Sequence, residues 1–385
     1  MSLRGYRRPD GRIGFRNHLL VLPTVTCSST VAQRISQAVP GTITIHNNSG
    51  CGLPGKDREV YARTIINTAG NPNIGATLVV GLGCEKVPAE EAAAEIKKFG
   101  KPVAYLSIQE IGGSINALTE GVRLAQQLVS QVCTLPREPA SVADLVVGLE
   151  CGGSDPASGL TANTALGVAV DRIVDEGGTA IIGETVECIG AEQLLMANAK
   201  NEVVGRRILE VVSRFEEHVR MYGVDLSTGQ PGRGNIEAGL TTIEEKSLGC
   251  VRKIGTRPIV QVLEYGEIPT EKGPILMDTP GDDPTSVTGL VAGSCQVIVF
   301  TTGLGTPVGI AMTPVIKVSS NTATYEKMKD NIDINAGTIL DGTETIEQVG
   351  ERIYSMILEV CQGQQTKAEI LGESQYSVWL TTTML

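Results

Sequence analysis

Four cysteines stand where a strand-like apolar run meets a turn. They are Cys27 after "HLLVLPTV", Cys51 after "GTITIHN", Cys84 in "LVVGLGCEK" and Cys151 in "LVVGLECGGSD". A single cysteine at a strand end is usually plain core, because this residue type is among the most buried. Four at corresponding positions, three beside glycine, point instead to a shared site beyond the carboxyl ends of strands, where open α/β sheets bind ligands. Their spacings match no compact zinc motif. Thiolates favour soft metals and iron–sulfur clusters. Three cysteine ligands would leave one iron of a four-iron cluster open to a substrate hydroxyl as a Lewis acid. Cys51, Cys84 and Cys151, with Cys27 beside them, are therefore the expected ligands of a soft metal or of an iron–sulfur cluster such as [4Fe–4S]. His46 is a substitute ligand or a proton carrier, against the plain alternative of a hydrogen-bonded turn histidine.

The Cys151 turn carries more. "GLECGGSDPASG" sets Glu150, Ser154 and Asp155 around the thiol. Ser and Asp commonly cap helices and make turns, but two acids beside a thiol can also ligate a metal or move a proton. "GETVECIGAE" adds Glu184 and Glu187 at another strand end. His46, Glu150, Asp155 and Glu187 are thus the acid and base candidates, and Ser154 a substrate contact. "RGYRRPDGRIGFRNH" concentrates arginines before the first long strand. A guanidinium grips a carboxylate in a bidentate fork, so Arg12, Arg16 and Asn17 are expected to bind an acidic substrate. The plain alternative is a solvated basic leader. "FTTGLGTPVG" lacks the Walker lysine and the dinucleotide fingerprint, which argues against phosphate binding.

Such groups need a scaffold of strands and turns. Short Val-, Ile- and Leu-rich runs alternate with segments of helical period along most of the 385 residues, the pattern of parallel sheets covered on both faces. The 45 glycines and 3% aromatics suit many tight strand-to-helix turns. "LPREPASVA" breaks the rhythm, which predicts an α/β fold of two consecutive domains, 1–138 and 139–385, each a mostly parallel sheet flanked by helices. A helix is predicted over most of 190–222, and another near 344–362. The net charge of −11 has no basic block to oppose it, which argues against nucleic acid and anionic membranes as partners. No apolar run reaches the roughly 18–20 residues of a membrane span. The expected location is the cytoplasm, where nine dispersed cysteines do not read as a disulfide framework.

"GYRRPDGRIGFRN", "GLGCE", "GLECGGSDPASGLTAN", "GETVECIGAE", "GNIEAGLTTIEEKSLG", "MDTPGDDPTSVTGLVAGS", "VIVFTTGLGTPVG" and "DNIDINAGTI" together resemble the altronate/galactarate dehydratase family over nearly the whole chain. The resemblance implies an iron-dependent lyase that eliminates water from a sugar acid or similar 2-hydroxy acid, giving a 2-keto-3-deoxy acid. Full-length members carry a small N-terminal β-rich domain that is not in this sequence. In that respect the chain is similar to the two-subunit sulfolactate sulfo-lyases, which release sulfite and pyruvate and keep the small domain as a separate polypeptide. The expected partners are the acid substrate, a separate small β-rich subunit and further copies of the chain. A metal- or thiol-bearing scaffold without catalysis is the alternative of another class.

Overall fold

Near-continuous apolar runs are stable as strands only where both sheet faces are covered, and helices provide that cover here. The computed structural model describes residues 3–382. Its strands are β1 (Leu3–Arg7), β2 (Ile13–Gly14), β3 (His18–Pro23), β4 (Thr42–Thr44), β5 (Ile74–Gly81), β6 (Val103–Ser107), β7 (Glu138–Ala140), β8 (Val146–Gly152), β9 (Thr179–Ile182), β10 (Gln261–Leu263), β11 (Pro274–Met277), β12 (Val297–Thr302), β13 (Val315–Ser319) and β14 (Ile334–Asn335). They form a parallel sheet in the order β4-β3-β5-β6, a second parallel sheet in the order β10-β11-β9-β8-β12-β13-β14, and an antiparallel ribbon β2-β1-β7. The chain is α/β, with parallel sheets flanked by helices. Among the described residues no helix is long and apolar enough to cross a membrane.

The sequence division at 138/139 falls inside β7. That strand pairs with β1, setting Leu3 opposite Ala140, and Leu3, Ile13 and Phe15 pack in the core of the larger sheet. A second core joins Leu20, Leu22 and Tyr61 to Tyr265, Ile275 and Leu290, so apolar burial is continuous between the sheets.

Two buried asparagines fasten that junction. Asn71 Nδ2 donates to the carbonyls of Val291 and Cys295 at 2.9 and 2.8 Å. Asn73 Nδ2 donates to those of Gln296 and Met312 at 2.9 and 3.1 Å, and its Oδ1 accepts from the amides of Phe15 and Arg16. Every polar atom of the Asn73 side chain thus meets a backbone group, three of the four partners being buried and the Arg16 amide partly so.

The expected continuous helix over 190–222 is two helices, Glu192–Ala197 and Glu202–Met221. Between them the backbone turns to bridge Ile259, and Asn201 caps the second helix through Val204 N at 3.0 Å. The helix expected near 344–362 is Ile346–Cys361.

Asn73→Ala would leave these four backbone groups, three of them buried, without their side-chain partner. A loss of roughly 3 kcal/mol or more is expected, read as a lower urea midpoint at unchanged m-value.

Candidate active site at the carboxyl edge of the larger sheet

The larger sheet reverses its winding at β8, with β9 on one side and β12 on the other. Connections leave such a switch point toward opposite faces and open a crevice at the strand's carboxyl end. Cys151 lies there, opposite Thr301 of β12. Glu184 and Glu187 follow the carboxyl end of β9, Glu184 at φ 66° in the left-handed region that a non-glycine residue holds only when its surroundings enforce it. Its amide donates to Thr279 Oγ1 at 2.5 Å and its Oε2 accepts from Cys151 N at 2.9 Å.

A segment in which the sequence reading named no site residue completes the group. Helix Ile243–Cys250 and the 3-10 turn Val251–Ile254 present Lys246, Cys250, Arg252 and Lys253. They can lie against the Cys151 turn because Gly159 meets Gly249: a Cβ on Gly159 would stand 2.6 Å from the Gly249 Cα. The sulfurs of Cys151 and Cys250 are 3.4 Å apart. Lys253, fully buried, places its Nζ 2.9 Å from Cys151 Sγ, 3.0 Å from Cys250 Sγ and 2.7 Å from Glu184 Oε2. Cys151 Sγ donates to Glu187 Oε2 at 2.8 Å, and Lys246 Nζ pairs with Glu187 Oε1 at 3.0 Å. The Cys151, Cys250, Glu184 and Glu187 donors all lie within 4.8 Å of one another, as do those of Glu150, Glu184 and Asp283. Either set could hold a metal ion. In the first, the Lys253 ammonium already supplies a positive charge against both sulfurs and a carboxylate.

Burial and charge divide the protons of this group. Burial pushes the Cys151 thiol well up and that of Cys250 up to about 11, so both remain thiols. Burial also opposes charge on Glu187, but Lys246, Lys253 and the two thiols outweigh it and hold its carboxyl below the ordinary value. Glu184 is raised by burial and by the neighbouring Glu187. Glu150 is raised well above the carboxylate range by burial and by Glu184. It accepts from Ser286 Oγ at 2.7 Å through Oε2, while its Oε1 is buried without a partner. Burial opposes charge on Lys253, yet the two thiols and the two glutamates keep it cationic. Burial and the nearby glutamates push Asp283 up to about 7.

A cleft of about 340 Å³ opens beside this group, lined by Ser154, Asp155, Asn163, Lys246 and Arg252 among others. Asp155 is held from three sides, accepting from Ser158 Oγ at 2.7 Å, Ser320 Oγ at 2.8 Å and Asn321 Nδ2 at 3.0 Å. The loop after β12 closes on the same turn, through Leu304 N to Gly153 O at 2.8 Å.

The residues singled out from sequence therefore separate. Ser154 and Asp155 line the cleft, while Glu150, Cys151 and Glu187 lie in or beside the buried group. Cys27, Cys51, Cys84 and His46 are exposed at the edge of the smaller sheet and contribute to neither donor set. The expected four-cysteine constellation is thus corrected: Cys151 is buried against Cys250 and Lys253. Expectation and structure also part at the arginines, whose forks are committed within the chain. Arg12 donates to Asp10, Ser294 and the Gly70 carbonyl. Arg16 grips Glu369 and the Val360 and Gln364 carbonyls. Asn17 joins Arg8 to the Val132 carbonyl. Cys250, Lys246, Arg252 and Lys253 carried one legible signal, the cation–thiol cluster "KSLGCVRK".

A family model described as D-galactarate/altronate dehydratase, C-terminal, matches residues 142–384. A second, described as D-galactarate dehydratase/altronate hydrolase, second domain, matches residues 5–133. The chain is 36% identical to the (2R)-sulfolactate sulfo-lyase subunit beta of Chromohalobacter salexigens over 97% of this chain and 95% of that one. It is 34% identical to the altronate dehydratase of Bacillus subtilis over 96% of this chain and 75% of the relative. With the galactarate dehydratase (L-threo-forming) of Escherichia coli it shares 35% identity over 94% of this chain and 73% of the relative.

Lys253→Met would strand a buried glutamate without its cation, and a stability loss of roughly 3–5 kcal/mol is expected in chemical denaturation. Asp283 has a folded pKa above its unfolded one, so the folded chain keeps a proton that the unfolded chain releases. Its contribution is present below about pH 4 and lost as pH rises through about 7. Melting temperatures of Asp283→Asn should accordingly fall less between these pH values than those of the wild type.

Proposed function

The chain belongs to the D-galactarate/altronate dehydratase family, and from that premise we propose that it is a cytoplasmic hydro-lyase that removes water from a sugar acid of the altronate or galactarate type. One observation carries the reading: Lys246 lines the cleft beside Ser154, Asp155 and Arg252, and its ammonium is paired with Glu187 of the buried group. A cleft with two cations, a carboxylate and a hydroxyl is equipped for a hydroxy acid.

In this mechanism Arg252 and Lys246 hold the substrate carboxylate. Neutralising it lowers the cost of the enediolate charge that develops when the neighbouring α-proton leaves. Asp155 takes that proton, its orientation fixed by Ser158, Ser320 and Asn321 so that the acceptor oxygen does not have to search. The electron pair of the broken C–H bond forms the C=C bond as the β-hydroxyl departs with the proton that Asp155 has taken, leaving as water and returning Asp155 to its carboxylate form. The enol then becomes the 2-keto-3-deoxy acid. Ser154 contacts a substrate hydroxyl. Burial is the largest single influence against a charged Lys246, but Glu187 behind it, by charge and hydrogen bond, together with Cys151 and Glu184 outweighs burial and keeps the lysine cationic. Glu150, protonated beyond Glu184, serves as a proton store and not as the base.

Iron, when bound, would add Lewis-acid polarisation of a hydroxyl. The donor chemistry of Cys151, Cys250, Glu184 and Glu187 suits a divalent metal, but an ion there would compete with Lys253. No step above depends on it.

The second reading is C–S elimination from (2R)-sulfolactate, with sulfite as the leaving group and pyruvate as the product. Its support is the similarity to a sulfo-lyase subunit beta along nearly the whole of both chains. That relative's name also supports a separate small subunit as partner. Self-association is proposed with it.

Anaerobic assay of the chain with altronate, galactarate and sulfolactate, with and without a small β-rich partner, separates the readings. Keto-acid release from a sugar acid supports the first, and sulfite release the second. Turnover of none of the three would sink both. Arg252→Ala should raise KM about 10- to 100-fold, the weight of one charged hydrogen-bonding contact. Asp155→Asn should instead lower kcat by about 10²- to 10⁴-fold.

A further inference from the structure

The buried thiols Cys151 and Cys250 are matched by the ammonium of Lys253, but among the described residues no lysine or arginine hydrogen-bonds the sulfurs of three others. Cys27, Cys51 and Cys84 follow β3, β4 and β5 at the carboxyl edge of the smaller sheet, and all three are exposed. The order β4-β3-β5-β6 reverses at β3, so this sheet has its own switch point, and the three cysteines stand around it. Nothing in the cleft chemistry above uses them.

The three loops that carry them are tied into one surface. Thr26 N donates to Ser49 O at 2.9 Å, and Lys86 N to Gly50 O at 3.0 Å. Each cysteine lies within two residues of one of these bonds. Beneath them, Thr24 Oγ1 donates to Glu85 Oε1 at 2.9 Å, and Gly83 N to Glu85 Oε2 at 2.6 Å. Tyr61 donates to Thr24 O at 2.8 Å, and Asn47 Nδ2 to Pro23 O at 2.8 Å. Gly50, at φ 108°, brings the loops into backbone contact, since a Cβ there would stand 2.3 Å from Thr24 O. The carboxylate of Glu85 is occupied beneath the surface, while the thiols are left above it. Among the described residues, the one hydrogen bond to these sulfurs is the long contact from Gln109 Nε2 to Cys84 Sγ at 3.9 Å. Cys27 also sits in the first turn of helix Thr26–Ala38, whose amide dipoles favour an anionic ligand group.

From this we infer that Cys27, Cys51 and Cys84 together hold an iron–sulfur cluster through three protein thiolates, leaving one position for an outside ligand. Soft thiolates select such clusters. The cluster site rests on the lyase reading only for the relevance of iron, and binding is read without turnover.

The test uses the full chain, reconstituted anaerobically with ferrous iron and sulfide. Iron, acid-labile sulfide and visible absorbance are measured, with circular dichroism to confirm folding. The wild type should hold about four iron and four sulfide per chain. Cys27→Ala, Cys51→Ala and Cys84→Ala should each lose most of both. Cys250→Ala and the exposed control Cys133→Ala should keep them. Retention of the full complement by any of the first three variants would overturn the site, as would loss on Cys151→Ala. Iron without sulfide, or no iron in the wild type, would overturn it as well. A wild type that carries the cluster but turns over none of the three acids would leave this site standing and sink the lyase reading.

Discussion

The buried ammonium of Lys253 is the interaction on which the active edge depends. It stands between two sulfurs and the Glu184 carboxylate, in surroundings where an unpaired charge of either sign would be expensive. Its position joins the ends of the paired strands β8 and β9 to the segment 246–254, which lies outside the sheet. Lys246 repeats the device one layer outward, pairing with Glu187 and facing the cleft. Inward of this centre, burial and Glu184 raise the Glu150 carboxyl well above its ordinary value, while outward Lys246 carries its charge to the cleft.

Each sheet places its chemistry at its own switch point. At the larger sheet the loops after β8, β12 and β13 meet around Asp155. At the smaller sheet the loops after β3, β4 and β5 meet around Glu85 and Thr24. The sheets are locked to one another by Asn71 and Asn73 and by continuous apolar packing, so both edges belong to one scaffold. The close approach of Gly159 and Gly249 then admits the lysine-bearing helix to the Cys151 turn. Side chains at those two positions would push Lys246 and Lys253 away from the groups they neutralise.

The sequence made some of this legible and hid the rest for identifiable reasons. Strand runs such as "LVVGLE" announce buried parallel strands because both faces must be apolar. The carboxyl-edge position of Cys151, Glu184 and Glu187 follows from where those runs stop. The arginines misled because a guanidinium fork fits backbone carbonyls as well as it fits a substrate carboxylate. Arg16 meets Glu369 from 353 residues away, and nothing local forecasts such a pairing. Cys250 and Lys253 escaped notice because they sit on a short helix and turn, not at a strand end.

Residue type and periodicity by themselves determined the α/β class, the parallel strands and the strand-end placement of the thiols and acids. These properties are local, set by which side chains a two-sided sheet tolerates and by where a turn must begin. Tertiary structure alone decided the grouping: Cys151 with Cys250 and Lys253, and Cys27, Cys51 and Cys84 on a separate edge. Grouping depends on strand order and on close approaches between distant segments. Strand order is fixed by how the whole chain buries its apolar faces, and no short stretch of sequence contains that information.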